Sequence, residues 1–287
     1  MLPFNVTGAG NYTAAFENQR GAFRYLTLSL REAGSITVSN LTVTYSPLPG
    51  VEDMRNYTGY FHCSDEMLNR SVTAFVSLHE LTRLQLARVW YAGAYTTQIC
   101  TIDPKSGNAL LNPGTYPYHN ETISNGTSVV VDGAKRDRLV WPGDLVSVAF
   151  ELALQLVNVF KQGVAVATGA LSTYDLYSDK MAIDSLFSLQ KSDGLLPYAG
   201  VGPIEAVSFT YHLYSLIGVY NVFLYDGDLE WLQGKWEAWK LGMEWALSSV
   251  DEEVGLMNVT SGADWLRSGM GGFNGEVSIP LLNGSQH

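Results

Sequence analysis

Three carboxylates crowd one short run of the chain, VVVDGAKRDRLVWPGD at residues 129–144. They are Asp132, Asp137 and Asp144, interleaved with Lys135, Arg136 and Arg138. Two chemistries fit the pattern. In one, acids and bases pair into a network that pins a loop. In the other the acids do work, because a carboxyl crowded by neighbouring acids keeps its proton to higher pH, as a general acid must. Trp141 and Pro142 stand in the same run. An aromatic face beside several carboxylates suits a sugar, whose C–H face stacks on the ring while its hydroxyls donate to the acids. Spacing alone leaves both readings open.

Other reactive residues are arranged less tellingly. His62 and His212 stand in aromatic company, beside Tyr60, Phe61 and Tyr211, and read as packed, hydrogen-bonded histidines. No His, Asp and Glu set has metal-ligand spacing, and two cysteines are too few for a cysteine zinc site. No glycine-rich phosphate cradle follows a strand. The expectation is therefore no metal and no cofactor. Cys63 and Cys100 read as buried thiols rather than a disulfide pair. A net charge of −11 argues against nucleic acid and against anionic membrane surfaces as partners. The most apolar window, 145–160, still carries Glu151, Gln155 and Asn158, so no membrane span is expected.

The elements that must position these residues change texture along the chain. Its 287 residues fit roughly two domains. Residues 25–45, YLTLSLREAGSITVSNLTVTY, alternate apolar and polar side chains with a turn at Gly34–Ser35, and predict strands. The division is residues 1–48 as the last strands of a β-sandwich, 49–62 as a linker and 63–287 as a helical domain. Ser64 is a fitting N-cap, with Asp65 and Glu66 in the first turn. Further helices are predicted over 181–189, 206–224 and 228–248, separated by glycine-bearing loops at 192–203 and 251–264. The stripe Leu213, Ile217, Tyr220 and Leu224 reads as a core face. Helix following helix points to a mainly α toroid or bundle.

Asn-x-Ser/Thr sequons occur at Asn5, Asn11, Asn40, Asn56, Asn69, Asn120, Asn125, Asn258 and Asn283. That is nine of fifteen asparagines, where random placement would give roughly two. The set predicts a secreted, extracellular protein. Residues 1–10 show neither a basic n-region nor an apolar h-region, so no signal peptide is read there and the true amino terminus is expected upstream.

Five strings carry a resemblance: YTGYFHCSDEMLNR (57–70), VWYAGAYTTQICTIDP (89–104), VDGAKRDRLVWPGD (131–144), SLFSLQ (185–190) and YHLYSLIGVYNVFLYDGD (211–228). Together they resemble fungal α-L-rhamnosidase-type six-hairpin glycosidases over most of the chain, from about residue 18 to 274. The resemblance implies an (α/α)6 toroid preceded by β-sandwich domains, and inverting hydrolysis of terminal α-L-rhamnosides, with a rhamnose-containing glycoside as partner. It places the general acid at Asp137 and lines the sugar subsite with Asp132, Arg136, Trp141 and Asp144. Asp264 and Trp265, in SGADWLR, resemble a second sugar-contacting motif. Bacterial members usually carry Glu at the acid position, one methylene longer than Asp137.

The departures are equally specific. Family members run LNR directly into VWYAGAY and WPGDL directly into a segment like AVATGALSTYD, whereas here residues 71–88 and 146–163 intervene. Each insert has the size of a short fungal intron, and Val146–Ser147 can be encoded by GTAAGT, a strong splice donor. Retained introns are one expectation; an extra apolar helix in each place is the other. An inverting glycosidase needs a second carboxylate to activate water. In this family it lies in the later half of the barrel, so an incomplete catalyst is expected here, and Glu276 is not assigned the role. The alternatives are a non-catalytic carbohydrate-binding protein using Trp141 and Trp265 as platforms, and the inactive product of a mis-spliced transcript.

Overall fold

The computed structural model describes residues 4–15, 25–60, 62, 64, 85–108, 121–134, 137–145, 165–201, 206–261, 271–275 and 278. Among them the chain is mostly helical, with six α-helices and two small antiparallel sheets. The helices are α1 (Gln85–Ile99), α2 (Pro142–Leu145), α3 (Ala165–Ser172), α4 (Leu176–Phe187), α5 (Phe209–Asp226) and α6 (Leu229–Leu247). Strands β1 (Thr101–Ile102) and β2 (Val129–Val130) pair with Thr101 opposite Val130. Strands β3 (Asn258–Val259) and β4 (Gly272–Phe273) pair with Asn258 opposite Phe273. Neither a closed toroid nor a sandwich is seen among the described residues.

Local chemistry sets the helix ends. The Ser208 hydroxyl accepts from Tyr211 N–H and starts α5. Gly227, at a left-handed φ of 68°, ends it by donating to Phe223 O. Asp228 at once caps α6 by accepting from Trp231 N–H. This one-glycine reversal makes α5 and α6 an antiparallel hairpin. Asp175 caps α4 through both carboxylate oxygens, one on Ser178 N–H and one on Ser178 Oγ. Lys180 on α4 ties the hairpin turn down, bridging Asp226 and Asp228. Lys235 on α6 reaches back to Asp184 on α4 at 2.8 Å.

The core is one apolar cluster from β2, α3, α4, α5 and the following loops, with Ile123, Leu139, Val140, Ile183, Leu186, Leu213 and Leu216 among its fully buried members. His212 sits inside it. Nδ1 accepts from Leu196 N–H (3.1 Å), so Nε2 carries the proton and donates to Gly242 O at 2.9 Å. This is one of the two histidines the sequence reads as packed, and burial depresses it to about 4; the other, His62, is exposed. Gly194 lets the loop after α4 close on α6. Its φ is 99°, and a Cβ there would stand 2.2 Å from Leu241 O.

Two further expectations need correction. Residues 25–45 form no strand: Tyr25, Leu26, Leu28, Leu30, Ile36, Val38, Leu41, Val43 and Tyr45 are exposed. Alternation marks one face of a strand, but a strand persists only with a ladder partner and a surface to cover. Leu224 is 58% exposed and Ile217 and Tyr220 only half-buried, because that stripe lies on the flank of the helix; the buried face runs through Leu213, Leu216, Val219 and Val222 instead. Beyond these, residues 48–58 are hydrogen-bonded to the helical part. Leu48 is buried and donates its N–H to Thr101 O at 2.6 Å. Gln98 Nε2 donates to Met54 O (2.8 Å), and Thr58 N–H donates to Ser172 O (2.8 Å). The inserts are not among these corrections, since 146–163 and most of 71–88 lie outside the described residues.

Candidate active site

The acid-rich run leaves β2, folds into a tight loop and enters α2. Val131 N–H donates to Cys100 O (2.9 Å), fixing the strand end beside the C-terminus of α1. Asp132 then closes the loop on itself. Its own N–H donates to Leu139 O (3.1 Å), Oδ1 accepts from Leu139 N–H and Oδ2 from Asp137 N–H, each at 3.0 Å. Between these anchors Arg138 takes a left-handed φ of 65°, a costly conformation for a residue with a Cβ. It is held by Asn108 N–H on its carbonyl, and the buried Val140 carbonyl accepts from Gly200 N–H at 2.7 Å. Pro142 starts α2, a position that suits its fixed φ and missing donor.

The three acids form one electrostatic group. Asp144, half-buried in the single turn of α2, is pushed up to about 7, first by burial and then by the charges of Asp132 and Asp137. Burial also raises Asp132, against the pull of the Leu139 and Asp137 amides. Asp137 is half-buried, and its charge is felt at both neighbours. Neighbouring negative charge and burial both disfavour ionisation, so Asp144 keeps its proton to higher pH than an isolated carboxyl.

Cys100 joins this group, which the sequence does not show. It carries a free thiol, half-buried, pushed up to about 11 by burial and by the charges of Asp132 and Asp144, while the Ala134 amide works the other way. The contact arises across the β1–β2 register, between residues about thirty apart, and no spacing rule reveals it. A thiol held protonated at neutral pH is a poor nucleophile.

Trp141 is 6% exposed. Its ring meets Tyr198 (5.2 Å, 86°) and Tyr211 (6.2 Å, 83°) edge-on, and those two tyrosines stack at 4.9 Å. The indole is thus spent on packing against two tyrosines and offers little open face for a sugar. Lys135, Arg136, Asp264 and Trp265 lie outside the described residues. Among the described residues, no group of three or more His, Cys, Asp or Glu could hold a metal ion, and no helix is long and apolar enough to cross a membrane.

A separate buried acid lies on α4. Asp179 is 1% exposed, and neither carboxylate oxygen has a hydrogen-bond partner. It faces a narrow crevice shared by Leu48, Gln98, Thr101, Gly169 and Ser172. Burial, helped by the charge of Asp175, raises it well above the ordinary carboxylate range. Compared with known proteins, the chain matches no family model and no curated sequence.

Proposed function

We propose that this chain carries the acid half of a glycoside hydrolase site of the α-L-rhamnosidase type, acting on terminal α-L-rhamnosides with inversion within a helical-hairpin toroid. One observation supports it most: three carboxylates on a strand end, a braced loop and a helix start share one electrostatic environment, and one is poised near neutral pH. That is the equipment for protonating a glycosidic oxygen. By resemblance the donor is Asp137, with Asp132, Arg136, Trp141, Asp144, Asp264 and Trp265 around the sugar. A second assignment has its own support: Asp144 has the environment that retains a proton, and Asp137 then orients the sugar. The reading as a carbohydrate-binding platform gains less, because the Trp141 ring is spent on Tyr198 and Tyr211.

The test is an aryl α-L-rhamnoside, with other aryl glycosides as controls, beside calorimetric titration with L-rhamnose. Aryl release lost in Asp137→Asn supports the catalytic reading. Rhamnose binding without release identifies the incomplete catalyst expected from the sequence. Neither binding nor release refutes the proposal.

A further inference from the structure

The sequons divide the asparagines of this chain in space as well as in sequence. Six of the nine fall on described residues, Asn5, Asn11, Asn40, Asn56, Asn125 and Asn258, and all six asparagines are exposed. So are the six threonines that complete them, Thr7, Thr13, Thr42, Thr58, Thr127 and Thr260. The described asparagines outside sequons behave oppositely: Asn108 is buried, and Asn221 and Asn274 are half-buried. In residues 4–45 exposure is general and decides little. In the folded part it discriminates, and there Asn56, Asn125 and Asn258 lie on the docked strap, on the turn before β2 and on β3.

We infer that Asn56, Asn125 and Asn258 are sites of N-linked glycosylation. An N-glycan is bulky and strongly hydrated, so a folded chain carries one only where the asparagine side chain opens to solvent. The donor class is a lipid-linked diphospho-oligosaccharide. The asparagine amide nitrogen forms a bond to C1 of the first sugar and the C1–O bond to the diphosphate breaks. The lipid diphosphate leaves with that electron pair, and the amide proton passes to a base of the transferase. Two of the acceptors are tied in the folded chain, where Asn56 N–H donates to Asp53 O and Asn258 N–H to Ser249 O. Transfer there precedes folding, and the fold then accommodates the product. At Asn125 the sequon sits in an exposed turn whose Thr127 N–H is held by the Tyr177 hydroxyl, so Thr127→Ala removes the sequon without touching that bond.

The experiment expresses the whole chain behind a secretion leader in eukaryotic cells and collects it from medium and cell extract together, so that poor secretion does not remove the sample. Treatment with a glycan-releasing amidase in heavy-oxygen water turns each occupied asparagine into an isotope-marked aspartate, read by peptide mass spectrometry. The expected result is marking at two or more of Asn56, Asn125 and Asn258, none at Asn108, Asn221 or Asn274, and loss of the Asn125 mark in Thr127→Ala. Marking at one or none of the three sites, or an Asn125 mark that survives Thr127→Ala, overturns the inference.

Discussion

Replacing Asp144 by Asn should make the protein more stable, and by an amount that depends on pH in a defined direction. In the folded chain this carboxyl titrates at about 7 against an ordinary 3.8, chiefly because it is buried. A group raised on folding costs nothing below 3.8, where both states are protonated. The cost grows between 3.8 and 7, because the unfolded chain releases a proton that the folded chain retains, and above 7 it is constant. At about 1.4 kcal/mol per pH unit, that span amounts to about 4 kcal/mol at pH 8 and under about 1 kcal/mol at pH 4. Asn keeps the shape and never ionises, so Asp144→Asn should recover most of this. At about 2 °C per kcal/mol for a chain of this size, the variant should melt roughly 8 °C higher at pH 8 and within about 2 °C of wild type at pH 4. Thermal melts of both chains across that range supply the measurement. An equal difference at both pH values, or a variant less stable at pH 8, would show that Asp144 is not buried among like charges and would refute the reasoning.

Asp179→Asn should likewise raise the urea midpoint at pH 8 and leave it unchanged at low pH, since the buried carboxyl has no partner to lose. His212 runs the other way: depressed to about 4, it supports the fold above pH 6.5 and loses that support as pH falls toward 4. The stability advantage of wild type over His212→Gln should therefore shrink by about 3 kcal/mol across that window in denaturant titrations. Gly194→Ala should cost about 2–4 kcal/mol, because it combines a left-handed φ with a collision against Leu241 O, and a midpoint within error of wild type would contradict that geometry. In any active form of the enzyme, Asn at the true proton donor should slow a glycoside with a poor leaving group more than an activated aryl one. Comparing Asp137→Asn with Asp144→Asn on both substrates assigns the role.

Where structure follows from neighbours in sequence, it was legible. Helices α5 and α6 begin and end within a few residues of the predicted 206–224 and 228–248, and the structure shows Ser208, Gly227 and Asp228 setting those ends. Helix α4 starts five residues earlier than the predicted 181, because its cap is Asp175, preceded by Tyr174 at a positive φ of 58° that no propensity anticipates. The strands of 25–45 failed for a related reason: alternation describes a face, whereas a ladder depends on a partner elsewhere. The acid cluster was visible because it is local. Cys100 and Asp179 were not, since one enters through strand register and the other through the packing of α3 on α4.

The site itself turns on a difference that the sequence hides. Asp132 and Asp144 are the same residue type in the same run, both drawn out of water and both repelled by Asp137. What separates them is the backbone. The loop 132–139 turns the amides of Asp137 and Leu139 inward onto the Asp132 carboxylate, stabilising its charge, while among the described residues no such donor offsets the burial of Asp144. The left-handed Arg138 between those amides is the conformational cost of aiming them. One strained loop thereby offsets part of the rise that burial imposes on Asp132, while its neighbour Asp144 is pushed up to about 7.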